Sequence, residues 1–310
     1  MAQLRHTRWK SFSMTNPLHA AHYADQACQE RVTILENLRV ARDTYRVRFH
    51  CPMLAKRIVP GQFLMLRLAG FDDPLLGRPL ALYDTVLSDG ERGVAVGVDV
   101  VYLVAGKMTS RLVQFTAGQQ LDIWGPLGNG FAPQPVDHLV MVAGGIGQTP
   151  FLALARQHLG QRQYGTPPSS IQPARRVTLC YGARSRDYLA GIEDFEQLGV
   201  TVRTSTDDGT AGHHGLVTDL VEMVLADSEL NGRFGKPNVV CCGPERMMEA
   251  VAQIAAAHSA PCQVSLETPM ACGIGICFSC VARVRDESGS WDYRRTCVEG
   301  PVFDSARIEW

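Results

Sequence analysis

Residues 270–281 read MACGIGICFSCV, and a further cysteine follows this run in the C-terminal part of the chain. The spacing of the four cysteines is Cys272-x4-Cys277-x2-Cys280-x16-Cys297. Four thiolates hold a 2Fe–2S cluster, and C-x4-C-x2-C followed by a distant cysteine is the plant-type arrangement. Gly273 and Gly275 allow a tight loop and let backbone N–H groups approach sulfur. The pattern predicts a 2Fe–2S cluster bound by these four cysteines.

The chain between the third and fourth of these cysteines predicts a β-hairpin. Residues 281–285 and 291–296 are strand-like and flank a polar turn, so the hairpin would return the chain to deliver Cys297. Two alternatives stay open for this site. Structural zinc also binds four cysteines, although zinc ribbons usually present two C-x2-C pairs. The four thiols could also be buried without any ligand.

The other cysteines are scattered along the chain, and most of them are expected to pack in the core. They are Cys28, Cys51, Cys180, Cys241, Cys242 and Cys262. Ten cysteines in 310 residues are too few for a disulfide scaffold. Thiols that serve metals or packing are typical of a reducing compartment, and we expect a cytoplasmic protein.

Upstream of the cysteine run, residues 134–262 alternate between strand-like and helix-like segments, which predicts a parallel, Rossmann-like α/β domain. The predicted strands are 138–143, 176–181, 200–204 and 238–242, and the predicted helices begin at Thr149 and cover 188–198, 216–225 and 245–258. Residues 160–173 interrupt this alternation and are expected to form a surface insertion.

Glycine-rich loops follow several of these strands, at the carboxyl edge where a parallel sheet binds its ligands. Residues 143–150 (AGGIGQTP) connect a buried strand to a helix, and glycines there would let a pyrophosphate approach the helix N-terminus. A simple strand–helix turn would also explain this run alone. Residues 206–209 and 242–244 follow other strands of the same sheet. Together the three loops favour a nucleotide site.

Residues 30–133 contain short strand-like runs at close spacing, which predict a small antiparallel β-barrel. The runs are 32–35, 45–49, 63–68 and 94–98, with one short helix at 109–115. Arg78 precedes a proline, and a guanidinium group pairs well with diphosphate oxygens, although such a pair is also a common surface feature. Residues 125–131 (GPLGNGF) are expected to form a structural turn that closes the barrel.

Composition and charge exclude some classes of protein. The chain is 45% hydrophobic and carries a net charge of -1, so no global basic field draws it to nucleic acid or to an anionic membrane. The most hydrophobic run, residues 94–106, contains Asp99 and is too short to span a bilayer. Residues 1–29 are expected to be a poorly ordered leader, with a transit peptide as the alternative.

Taken together, these motifs resemble the ferredoxin–NADP reductase superfamily and, within it, the electron-transfer subunits of two-subunit NAD-linked dihydroorotate dehydrogenases. The resemblance covers residues 30–310, and residues 266–281, 297–303 and 125–131 carry most of it. It implies an FAD-binding barrel over residues 30–133, an NAD-binding α/β domain over 134–262 and a 2Fe–2S segment over 263–310.

The resemblance also implies cofactor-binding residues. FAD would be held by Arg78, Pro79, Leu80, Ala81, Val101, Tyr102, Leu103, Met108 and Thr109. NADH would be held by Gly144, Gly145, Gly147, Thr149, Cys242, Gly243 and Pro244. Ala81 stands where the family usually has Ser or Thr, so one hydroxyl contact is missing. Leu103 and Met108 stand where Arg and Gly are common. Arg184 and Arg186 could contact a 2′-phosphate, so the choice between NADH and NADPH stays open.

The implied function is electron transfer between NADH and a partner, with the chemistry carried by FAD and the cluster. The implied partner is an FMN-containing catalytic subunit, assembled as a heterotetramer, that oxidises dihydroorotate to orotate in pyrimidine biosynthesis. Two other functions stay open. One is a diaphorase subunit of a hydrogenase or of a ferredoxin-linked NAD(P)H oxidoreductase. The other is a zinc-stabilised interaction module without redox function.

Overall fold

The computed structural model describes residues 24–90 and 93–310. Most of the expected leader lies outside these residues. Its last part differs from the expectation, because Ala24–Gln26 forms a 3₁₀ turn and Cys28 begins the first strand. No helix in the described part of the chain is long and apolar enough to cross a membrane.

The N-terminal part is a seven-stranded antiparallel sheet that curls into a half-barrel. Its elements are β1 (Cys28–Ala41), β2 (Thr44–His50), α1 (Pro52–Ala55), β3 (Phe63–Leu68), β4 (Arg78–Ala81), β5 (Asp84–Leu87), β6 (Ala95–Leu103), α2 (Lys107–Leu112) and β7 (Gln120–Leu127). The strand order is β4-β3-β7-β1-β2-β6-β5. Fully buried Phe49, Leu64 and Leu66 lie in its core. The predicted antiparallel barrel is confirmed, with three strands (β4, β5 and β7) that the sequence did not predict.

The following part is a mostly parallel sheet with helices on both faces. Its elements are β8 (His138–Gly144), α3 (Phe151–His158), β9 (Arg176–Ala183), α4 (Ile192–Gln197), β10 (Thr201–Thr206), β11 (His213–His214), α5 (Val217–Ala226), α6 (Ser228–Phe234), β12 (Pro237–Cys242), α7 (Glu245–Ala257) and β13 (Cys262–Ser265). Strand order runs β11-β10-β9-β8-β12-β13. The order reverses between β8 and β12, which creates the crevice where such sheets bind nucleotides. The predicted α/β domain is confirmed.

The C-terminal segment contains the predicted hairpin, β14 (Val281–Arg285) and β15 (Trp291–Arg295), and a last strand, β16 (Val302–Asp304). This segment is not separate from the nucleotide domain. Strand β13 pairs in parallel with β12, and β16 pairs antiparallel with β13, so both ends of the cysteine-containing segment belong to the nucleotide sheet. Residues 266–301 are therefore an excursion between two paired strands.

The insertion at residues 160–173 is more than a surface loop. Tyr164 is 3% exposed and packs into the core of the barrel. The Thr166 hydroxyl donates to the Lys56 carbonyl next to α1, 2.7 Å away, and the Gln157 amide of α3 donates to Ser169, 3.0 Å away. The insertion thus connects the nucleotide domain to the barrel.

Candidate functional site

The four cysteines of the spacing pattern lie in a loop and hairpin that pack on the outer face of the barrel. Cys280 and Cys297 are buried, with 1% and 0% of their surface exposed, in a cluster with Met65 and Leu127 from β3 and β7. Cys272 is half-buried and Cys277 is exposed. Cys272 lies close enough to Cys277, and Cys297 to Cys280, to influence the partner's pKa, and Cys272 also acts on Cys297.

This pairing bears on what the site could hold. Within residues 24–90 and 93–310, no three Cys, His, Asp or Glu side chains converge tightly enough to bind one metal ion. A 2Fe–2S centre instead distributes its four terminal thiolates over two irons, and two neighbouring thiol pairs suit that requirement. The residues present therefore fit a two-iron cluster.

Local hydrogen bonds hold the loop in shape and favour thiolates. The Ile274 N–H points at the Cys272 sulfur, 3.4 Å away. The Ser279 hydroxyl lies 3.2 Å from the Cys277 sulfur, and this contact, with the Ser279 backbone N–H, lowers the pKa of Cys277 to about 6. Cys297 similarly lowers the pKa of Cys280 to about 6, while its own pKa is raised by the same contact and by burial.

Two further contacts anchor the loop. The Trp124 indole N–H of β7 donates to the Cys272 carbonyl at 2.8 Å, which fixes the loop to the barrel. Gly273 has φ +74°, and a Cβ there would lie 2.6 Å from the Met65 side chain, so this position requires glycine. Close packing against β3 therefore depends on the first glycine of the motif.

Residues 78–81, which the resemblance assigns to FAD, form β4, an edge strand paired only with β3. An edge strand leaves backbone groups unpaired and available to a ligand. Pro79 and Ala81 are half-buried, whereas Arg78 is exposed and forms no ion pair within the described part of the chain. A cation of this kind is available for the diphosphate of FAD. Leu80 packs against the barrel core.

Most of the other residues assigned to FAD have side chains that are buried or hydrogen-bonded within the protein. Val101 and Met108 are 4% and 1% exposed, and Tyr102 is buried with its hydroxyl donating to Asn37 at 3.0 Å. The Thr109 hydroxyl accepts from the Gly106 N–H at 3.1 Å and closes the start of α2. Any contact of these four residues with FAD would therefore be through the backbone. Leu103, at the end of β6, is half-buried.

The residues assigned to NADH converge at the crevice between β8 and β12. Cys242 and Ala143 are direct partners in the two strands. A Cβ at Gly147 would collide with the Cys242 carbonyl, and one at Gly144 would lie 2.8 Å from Pro244. The two loops thus touch each other and have no room for side chains at these positions.

Gly145 of the first loop is not packed in this way. Gly145 has φ +55° and open space where a Cβ would be, so its backbone is exposed to an incoming ligand. Thr149 is nearly buried. On the second loop, Gly243 has φ +154°, and burial raises the pKa of Cys242 to about 12, which keeps this thiol neutral.

Sequence reasoning did not single out three residues that shape the site. Trp124 and Met65 join the cysteine loop to the barrel, and Gln148 lies in the glycine loop, fully buried, with no hydrogen-bond partner for its side-chain amide in the described structure. No motif marks the first two, since their roles depend on a contact between segments far apart in sequence. A polar residue among GGIGQTP could have drawn attention to Gln148.

Comparisons with known proteins identify three kinds of domain in the chain. Family models match residues 31–131 as "Oxidoreductase FAD-binding domain" and residues 141–253 as "Oxidoreductase NAD-binding domain". Residues 267–309 match "Iron-sulfur cluster binding domain of dihydroorotate dehydrogenase B". A dihydroorotate dehydrogenase B (NAD(+)) electron transfer subunit from Caldanaerobacter subterraneus is 34% identical, over 88% of this chain and 95% of the relative.

The chain belongs to the dihydroorotate dehydrogenase B electron transfer subunit family. A second member, from Desulforamulus reducens, is 32% identical over 89% of this chain and 97% of its own length. Like the family, the chain is an oxidoreductase subunit with FAD-binding, NAD-binding and iron–sulfur-binding domains.

Solved structures place this family member within a wider fold. A chain of an NADH-dependent reduced ferredoxin–NADP oxidoreductase, from a study of flavin-based electron bifurcation, superposes with a TM-score of 0.72 at 27% identity and covers 90% of both chains. The ferredoxin reductase of carbazole 1,9a-dioxygenase shares the fold at 16% identity and a TM-score of 0.59, over 76% of this chain and 67% of that one.

Proposed function

We propose that this chain passes electrons between NADH and an FMN-containing catalytic subunit, and so supports the oxidation of dihydroorotate to orotate in pyrimidine biosynthesis. We assign FAD binding to residues 30–133, NAD binding to residues 134–262 and cluster binding to residues 263–310. Two copies of each subunit would form a heterotetramer. A cytoplasmic location suits the function, because thiols and cluster ligands persist in a reducing compartment.

The observation that carries this proposal is the closeness of the FAD strand to the cysteine loop. Pro79 of β4 is the direct strand partner of Met65 on β3, and Gly273 of the cysteine loop packs against the Met65 side chain. Neighbouring strands lie about 5 Å apart. A flavin on β4 and a cluster in the loop would therefore be separated by little more than one strand.

A second contact makes the same connection. Gly77 immediately precedes the FAD strand, and a Cβ there would lie 2.7 Å from the Trp124 ring. The indole N–H of Trp124 in turn donates to the Cys272 carbonyl. A cavity of about 580 Å³ lies between these segments, with Gly77, Trp124, Cys272 and Ile274 in its lining.

We assign the cofactor-binding residues as follows. Cys272 and Cys277 would bind one iron, and Cys280 and Cys297 the other, because the thiols lie in these pairs. Residues 78–81 would bind FAD, with backbone contacts from residues 101–103 and 108–109. The glycine loop (144, 145, 147 and 149) and residues 242–244 would bind NADH. When bound, FAD accepts a hydride from NADH and releases electrons singly to the cluster.

The catalytic subunit would dock where the cluster is accessible. Cys277 is exposed, and its neighbours Ile276 and Phe278 are 67% and 63% exposed. The outer face of the adjoining hairpin adds Trp291 and Tyr293, both exposed and in edge-to-face contact at 5.4 Å. Exposed aromatic side chains of this kind dominate protein interfaces, and this surface adjoins the site where electrons must leave.

Anaerobic reduction of the purified complex tests the function. We expect NADH to bleach both flavin and iron–sulfur absorbance in the visible spectrum, and dihydroorotate to do so through the partner. A colourless protein with stoichiometric zinc would overturn the proposal. Reduction by NADH without any response to dihydroorotate would favour the diaphorase alternative. The same reduction with NADPH in place of NADH determines which nucleotide the protein prefers.

Two variants test the docking surface. Trp291→Ala and Tyr293→Ala should each weaken binding to the catalytic subunit by about tenfold, the loss typical of an interface aromatic. Leu38→Ala, at an exposed apolar residue of β1, is the matched control. Affinities unchanged in both hairpin variants would place the partner elsewhere.

A further inference from the structure

A buried ion cluster joins the barrel to the nucleotide domain. Asp84, at the start of β5, is 6% exposed. Its Oδ2 lies 2.7 Å from Arg156 Nε of α3, and its Oδ1 accepts from Arg162 Nη1 at 2.9 Å and from the Tyr164 hydroxyl at 2.7 Å. The Thr85 N–H also donates to Oδ1, 2.8 Å away. One carboxylate thus holds three side chains from the other domain.

The elements in this cluster are continuous with the two candidate cofactor sites. Asp84 follows the FAD strand β4 after only two intervening residues. Arg156 lies on α3, the helix that follows the glycine loop. Arg162 and Tyr164 belong to the insertion after this helix. A shift of this ion cluster would therefore move β4 relative to the glycine loop.

Two hydrogen bonds next to Asp84 reinforce the same junction. The Ala153 N–H, in the first turn of α3, donates to the Tyr83 carbonyl at 3.1 Å. The Tyr83 hydroxyl donates to Asp194 of α4 at 2.6 Å. Residues 83–84 thus make polar contacts with α3, with α4 and with the insertion at residues 160–173.

We propose that Asp84, through Arg156, Arg162 and Tyr164, is a positioning residue that sets the alignment of NADH with the flavin. The inference rests on the proposed function, since it assigns FAD to β4 and NADH to the glycine loop. Hydride transfer requires reacting atoms about 3–3.5 Å apart, and a misplacement of about 1 Å can cost about 100-fold in rate. Alignment across two domains depends on a rigid junction.

The negative charge of Asp84 matters more than the size of its side chain. Burial raises the pKa of Asp84, while both guanidinium groups oppose this shift. Removal of the negative charge would leave two largely buried cations facing each other without a counterion, and such charges are driven towards solvent. Arg162 also donates to the Thr85 carbonyl at 2.7 Å, so its displacement would pull on β5 as well.

The test uses Asp84→Asn in the complete complex, with Asp187→Asn as the matched control. Asp187 also pairs across the two domains, with Arg42 at 3.6 Å, but both side chains are more than half exposed. In stopped-flow reduction by NADH, we expect Asp84→Asn to lower the limiting rate of flavin reduction at least tenfold, with NADH affinity changed less than threefold. Asp187→Asn should leave both unchanged.

A second readout does not depend on turnover. Amide hydrogen exchange in residues 160–173 should accelerate at least tenfold in Asp84→Asn, because its anchor is lost, and should not change in Asp187→Asn. If Asp84→Asn does not fold, Tyr164→Phe replaces it in the test. This variant removes one hydrogen bond only and should reduce the limiting rate about threefold.

The failure of this inference differs from the failure of the proposed function. A wild-type limiting rate in Asp84→Asn or, where that variant does not fold, in Tyr164→Phe would overturn the positioning role. Faster exchange together with a normal rate would also overturn it, since the junction would then be structural only. Absence of flavin reduction by NADH in the wild-type complex would instead refute the proposed function.

Discussion

Asn129, in the GPLGNGF turn of the barrel, should control how firmly the iron–sulfur segment is held. Its side-chain amide donates to the Glu299 and Val302 carbonyls at 3.2 and 2.8 Å, and its Oδ1 accepts from the Val302 N–H at 3.1 Å. Val302 is 5% exposed, so water cannot readily replace these bonds. Asn129→Ala removes all three at once.

The expected magnitude follows from this count. A hydrogen bond contributes about 1 kcal/mol net, and a buried group left unpaired costs about 1–3 kcal/mol. Three bonds therefore give about 3 kcal/mol for local opening of the segment. Since about 1.4 kcal/mol corresponds to a factor of ten, the opening equilibrium should rise roughly 100-fold.

The assay is the rate at which the cluster is lost to an iron chelator, followed by visible absorbance. If loss requires the segment to open, the rate should rise roughly 100-fold in Asn129→Ala, while flavin content stays constant. Asn231→Ala is the matched control, because Asn231 donates to the Leu225 carbonyl at 2.9 Å in the nucleotide domain. A rate within threefold of wild type, or an equal acceleration in the control, would refute the reasoning.

Three further predictions concern single residues. Cys280→Ser should abolish the iron–sulfur absorbance and iron content but retain flavin, whereas Cys180→Ser, in a core strand, should keep both. Gly147→Ala should weaken NADH binding more than tenfold in a fluorescence titration, because its Cβ would collide with the Cys242 carbonyl, and unchanged binding would contradict the assigned site. Burial lowers the pKa of His158 to about 4, so the part of the unfolding free energy that this neutral side chain contributes should be fully present above pH 6.5 and fall by about 1.4 kcal/mol per pH unit towards pH 4. Urea unfolding at pH 7 and 5 checks this, and His158→Gln should reduce the decline.

The sequence predicted the parts of the fold that local patterns determine. Buried runs such as residues 138–143 are apolar throughout, and the spacing of the four cysteines is informative without any knowledge of the fold. Strand β4 was missed because Arg78-Pro79-Leu80-Ala81 is short and contains proline, which is tolerated only at a sheet edge. Strand β7 was missed in part because its Gly125 and Pro126 indicate a turn.

The features that could not be predicted depend on contacts between residues far apart in the sequence. Residues 160–173 are polar and rich in glycine and proline, so their composition indicates a loop. Only the partner Asp84, far away in sequence, shows why Arg162 and Tyr164 are there. The side chains of Val101, Tyr102 and Met108 were similarly assigned to FAD by resemblance, and their burial emerges only from the packed barrel.

The excursion of residues 266–301 explains how a cluster can be added without disturbing the rest of the chain. Its two ends are fixed side by side, because Ser265 of β13 is the direct partner of Val302 in β16. The loop between them reaches back to the barrel through Trp124 and Asn129, which donate to the Cys272 and Glu299 carbonyls. Loss of the cluster would therefore free a closed loop rather than a terminus, since β16 remains paired. This is why a ligand variant such as Cys280→Ser should keep its flavin and nucleotide sites, and why the barrel contacts control retention of the cluster.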